Sequence, residues 1–102
     1  MIRATFEHDF SGFSLSGHAG YAEAGEDIVC AAVSAMTNLT VNGAEALGAA
    51  GEVSADSGEA YVSYRLRKPC AEAAKLLSAF YEELRQLQDQ YPEFVRVQKN
   101  TK

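Results

Sequence analysis

The side chains best suited to covalent chemistry in this 102-residue chain are two cysteines, Cys30 and Cys70, and two histidines, His8 and His18. A thiolate is a strong nucleophile, and an imidazole within reach can take the thiol proton and later return it to a leaving group. His18 opens a glycine-punctuated stretch, Gly17 to Gly25 with Gly20 between, that leads straight to Cys30. Cys30 follows Asp27, a natural helix N-cap, by three residues. There, unpaired backbone N–H groups and the helix dipole favour an anion. Its helical face also carries Val33, Ser34 and Thr37, whereas Cys70 begins an apolar stripe and reads as core. His8 lies near the first turn, where a solvated role is the default. A small packed cysteine beside a loop histidine is the commoner arrangement, so spacing alone leaves open both a Cys30–His18 dyad and a packing role.

Other chemistries fit less well. A metal site built from His8, His18, Cys30 and Cys70 would lack any paired Cys-x-x-Cys or His-x-x-x-His spacing. The glycine-rich stretch has no Gly-Lys-Ser/Thr, and Glu23, Glu26 and Asp27 would repel a phosphate. No metal or cofactor is therefore expected. The three acidic residues read as a solvated loop plus a cap, although Asp27 is also placed to orient His18.

The elements that must hold these residues follow from periodicity. Ile2, Ala4 and Phe6 alternate with Arg3, Thr5 and Glu7, the period-2 pattern of a half-buried strand. Asp9-Phe10-Ser11-Gly12 turns the chain, and Phe13 and Leu15 resume the core face in a second strand. Gly17 to Gly25 reads as a mobile loop, able to close over a cleft. A largely buried helix runs from the Asp27 cap to an end between Leu47 and Gly51. A second hairpin pairs 52–55 with 59–66 through Asp56-Ser57-Gly58, with Ala60, Val62, Tyr64 and Leu66 on one face. Pro69 suits the first turn of a second helix, whose apolar stripe runs from Cys70 through Ala73, Leu77, Phe80 and Leu84 to Tyr91. Pro92 ends it. A short strand at 94–97 and a polar, frayed tail at 98–102 complete a ββαββαβ order. The expected fold is α+β, a two-layer sandwich of two helices on a mostly antiparallel sheet.

Composition bounds the rest. At 102 residues, a single domain over 1–102 is expected. A net charge of -5 disfavours direct nucleic-acid binding. No apolar run approaches a bilayer span, and the first residues lack a signal peptide's apolar stretch, so a cytoplasmic protein with reduced thiols is expected.

Read in order, Gly17-His18-Ala19, five residues, then Gly25-Glu26-Asp27-Ile28-Val29-Cys30-Ala31-Ala32-Val33-Ser34-Ala35 closely resembles the signature of the ribosomal-processing cysteine protease family. Length and element order are similar to that family over essentially the whole chain. The resemblance implies an endopeptidase, with Cys30 as nucleophile and His18 as base. Asp27 would orient His18 or cap the helix, and Ser34 would touch substrate. It implies removal of a short N-terminal extension from large-subunit ribosomal protein twenty-seven, after a pair of phenylalanines, during ribosome assembly. It also implies a homodimer, for which the outer part of the second helix is a candidate surface. The alternative is a non-catalytic interaction module in ribosome assembly that holds a peptide in the same cleft.

Overall fold

The computed structural model describes residues 1–17, 24–56 and 61–101, and for 24–27 the backbone alone. The elements are β1 (Ile2–Phe6), β2 (Gly12–Ser16), α1 (Ala24–Ala46), β3 (Gly51–Asp56), β4 (Tyr61–Leu66), α2 (Ala71–Gln90) and β5 (Val95–Lys99). This is the expected ββαββαβ order. The strands form one sheet in the order β3-β4-β2-β1-β5, antiparallel throughout except for the parallel β1–β5 pair.

Alternation places Ile2, Ala4, Phe6, Phe13, Leu15 and Tyr64 on one buried face. Val29, Val33 and Ala44 of α1 and Ala73, Leu77, Phe80 and Leu84 of α2 join the same core. Phe6, Phe13 and Phe80 meet with ring centroids 5.2–5.6 Å apart, Phe80 edge-on to the other two. At the β1–β2 turn the Asp9 carboxylate accepts a 3.1 Å hydrogen bond from the Ser11 backbone N–H. Hydrogen bonding from Ser11 holds the Asp9 carboxyl below its usual range. The next residue, Phe10, takes a left-handed φ of 56°, offset by its ring contact with Tyr81 at 5.6 Å and by the Lys99 ammonium over its face at 5.2 Å.

Several boundaries differ from those read in the sequence. α1 begins at Ala24, so Gly25 is helical and Asp27 lies inside the first turn rather than at the cap. Acidic residues at 26 and 27 complement the positive end of the helix dipole, which favours this earlier start. Cys70, extended at φ -145°, is the N-cap of α2, so Pro69 precedes the helix instead of opening it. Asp56 is the last residue of β3, paired with Tyr61, and not part of a turn. Ser57, Gly58 and Ala60 lie outside the described residues.

Residues 98–100 are not frayed. Gln98 and Lys99 pair with Thr5 and Phe6, and the Asn100 N–H donates to the Phe6 carbonyl at 2.8 Å. Gln88 of α2 accepts the Val97 N–H at 2.7 Å, which ties the edge strand to the helix layer.

Candidate functional site

α1 carries no charged side chain between Asp27 and Glu45, and its threonines spend their hydroxyls on their own helix. Thr37 donates to the Val33 carbonyl and Thr40 to the Met36 carbonyl, each at 2.7 Å. One flank of the helix approaches α2 closely at Gly43, where an added Cβ would come within 2.8 Å of the Leu76 side chain. The other flank carries Cys30, Ser34, Thr37 and Asn38 and borders an open cleft of about 400 Å³.

Facing this flank are Ile2 and Leu15 from the central strands, Gly17 at the end of β2, and Ala55, Asp56, Tyr61 and Val62 from the β3–β4 hairpin. The cleft exists because the helices leave the β3 end of the sheet bare. Val53 pairs with the buried Tyr64 and shares its side of the sheet, yet is 49% exposed. Gly17 has φ +87°, and a Cβ there would collide with the backbone carbonyl of Met1.

Cys30 is half-buried at this cleft, and Ser34 is exposed one turn further along. Gly17, which precedes His18 in the sequence, lines it too. His18 and Gly20 lie outside the described residues, as does the rest of the expected loop over 18–23, and the Asp27 side chain is likewise not described. Cys30 is the seventh residue of α1. Its N–H therefore belongs to the helical ladder, not to the unpaired first turn, and the dipole is weak that far in. The expected placement of Cys30 at the helix start is thereby corrected.

Cys70 occupies a separate cleft of about 430 Å³, with Asp9, Arg67 and Lys68. Its thiol lies 3.7 Å from a Glu72 carboxylate oxygen, and it is half-buried rather than core. Neither cysteine is in a disulfide. His8 is exposed, as its position near the turn implied. Among the described residues, no group of three His, Cys, Asp or Glu side chains is placed to hold a metal ion, and no helix is long and apolar enough to cross a membrane. Asn38, unmarked in the sequence reading, follows Cys30 and Ser34 at the same spacing of four, a signal that a helical wheel centred on Cys30 contains. The hairpin wall carries no such local signal.

Fold and site define a two-layer α+β protein with a helix-borne thiol in an open cleft. Residues 1–96 match the family described as Cysteine protease Prp, and the chain belongs to that family. It is 35% identical, over 93% of its length and 91% of the relative's, to the ribosomal processing cysteine protease Prp of Mycoplasma pneumoniae. Among solved structures, SMU.848 from Streptococcus mutans is similar at a TM-score of 0.90 and 32% identity, covering 100% of this chain and 96% of that one. The fold is also that of an essential ribosomal processing protease Prp from S. aureus in complex with a substrate peptide. That structure has a TM-score of 0.89 and 24% identity, and the match covers 98% of this chain and 100% of that one.

Proposed function

We propose that this chain is a cytoplasmic cysteine endopeptidase that removes the N-terminal extension of large-subunit ribosomal protein twenty-seven, after a Phe-Phe pair, as a step in ribosome assembly. The observation that carries the reading is the half-buried Cys30 beside a peptide-sized cleft walled by the residue preceding His18. A stoichiometric binder would have buried this thiol as a small apolar group, and its place at an open cleft favours catalysis.

In this reading the Cys30 sulfur attacks the scissile carbonyl after His18 takes its proton, and Asp27 holds the imidazole in orientation. The tetrahedral intermediate collapses to a thioester as His18 returns the proton to the leaving amine. Water, activated by the same imidazole, then releases the acid product. Because Cys30 lies past the first turn of α1, thiol activation rests on His18 more than on the helix dipole. Ser34, one turn along, contacts the substrate.

The protein acts as a homodimer in this proposal. Ile28 and Leu39, 63% and 71% exposed on the stretch of α1 between Asp27 and Glu45 that carries no charge, offer an apolar contact, whereas no large exposed apolar side chain of the described residues lies on α2. Sedimentation of Leu39→Glu against the unaltered chain tests that surface: a shift to monomer supports it.

The direct test of activity is incubation with a peptide spanning the extension boundary, with the cut located by mass. Cleavage after the Phe-Phe pair that Cys30→Ala and His18→Ala abolish, and Cys70→Ala leaves largely intact, is the expected result. An active Cys30→Ala protein overturns the assignment.

A further inference from the structure

The cleft continues along α1 beyond Ser34 to Asn38, and the three polar side chains on this stretch are used differently. Thr37 is buried and its hydroxyl is spent on the Val33 carbonyl. Ser34 and Asn38 are exposed at the cleft, and neither side chain hydrogen-bonds to another described residue. Cys30, Ser34 and Asn38 rise along one flank at intervals of about 6 Å, four residues of helix at ~1.5 Å each. An extended peptide repeats every two residues at about 6.6–6.8 Å. The two periods nearly match over this short distance.

Resting on the protease reading above, we infer that Asn38 is a substrate-positioning residue: its side-chain amide pairs with the main chain of an extended peptide about two to four residues from the bond that Cys30 attacks. A primary amide carries both a donor and an acceptor, so it can satisfy the N–H and C=O of one residue of an extended chain, which point to the same side, without regard to the side chain. It sets register, while selection of side chains falls to the apolar opposite wall, where Val62 and Ala55 face the helix. The bare core-side face of β3 next to this wall leaves room for the peptide to run past Asn38. Asn38 makes no contact with the reacting atoms here, since it stands two helical turns from Cys30.

The test compares the unaltered chain, Asn38→Ala and Asn38→Asp on three synthetic peptides with the same scissile bond. One extends at least five residues to both sides, and the other two are cut back to one residue on either side. Asn38→Ala should raise KM about three- to tenfold on the long peptide, the scale of one neutral hydrogen bond pair, with kcat within about twofold. The difference should vanish on one of the two shortened peptides, which identifies the side that reaches Asn38. Asn38→Asp, which keeps the acceptor but loses the donors, should be impaired on the same peptides as Asn38→Ala. An unchanged KM on the long peptide, or the same loss on all three peptides, overturns the inference while leaving the protease reading intact. Failure of the unaltered chain to cut any of them sinks both.

Discussion

The carbonyl oxygen of Met1 fills the space where a side chain at Gly17 would begin, and Gly17 answers with φ +87°, a backbone angle that only glycine adopts freely. This contact fixes the end of β2 against the start of β1, immediately before His18 and at the rim of the cleft that holds Cys30. Gly17→Ala should cost at least about 1–2 kcal/mol from the left-handed angle alone, a fall of roughly 5–15 °C in Tm for a domain of this size. It should also lower kcat/KM by displacing the chain leading to His18. Thermal unfolding and peptide cleavage measure the two effects, and an unchanged Tm would mean that β1 and β2 part without strain.

Asp27 lies within the first turn of α1, so Asp27→Asn leaves the cap of that helix untouched. Stability should change by no more than about 0.3–1 kcal/mol, the size of a charge–dipole term. If Asp27 orients His18, cleavage should nonetheless fall by tenfold or more. Equal, small changes in both measurements would leave Asp27 with only its dipole role.

The N-cap of α2 is occupied by a cysteine that makes no capping hydrogen bond from its side chain. Serine is preferred at such positions because its oxygen accepts from the N–H groups of the first turn. Cys70→Ser should therefore stabilise the protein by about 0.5–1 kcal/mol, raising Tm by several degrees, with cleavage retained. A loss of stability would show that the thiol's packing outweighs the cap.

Tyr64 is 1% exposed, and among the described residues its hydroxyl has no hydrogen-bond partner. Its ring is packed against Gly51, where any side chain would collide with it. Burial, with Glu45 and Cys70 adding to it, pushes the phenol above its usual value of 10.0. Above that pH the unfolded chain releases a proton that the folded chain keeps. The unfolded state then binds fewer protons, so this residue makes stability fall as pH rises. Tyr64→Phe should be neutral or stabilising by up to about 1 kcal/mol at pH 7. It should also make the alkaline loss of stability shallower. Denaturant titrations at pH 7 and 10.5 check both, and a clear destabilisation at neutral pH would reveal a hydroxyl partner.

The order of the elements and the chemistry they carry are legible in local periodicity. Period-2 runs at Ile2–Phe6 and Phe13–Leu15, and the three-and-four stripe from Ala73 to Leu84, mark their buried faces because side-chain direction repeats with a local period. The same local logic singled out Cys30 and Ser34 on one helical face. It misread boundaries at Asp27, Pro69 and Asp56, where helix dipole, cap geometry and strand pairing compete within one or two residues. That the last strand runs on past Val97 is a tertiary matter, since Gln98 and Lys99 look like a polar tail until β1 offers them hydrogen-bond partners some ninety residues away. Long-range packing also places Ile2, Ala55 and Val62 opposite Cys30 and leaves β3 bare beside them. A cleft is made of surfaces from distant segments, and no local period records which of them the sheet order will bring together.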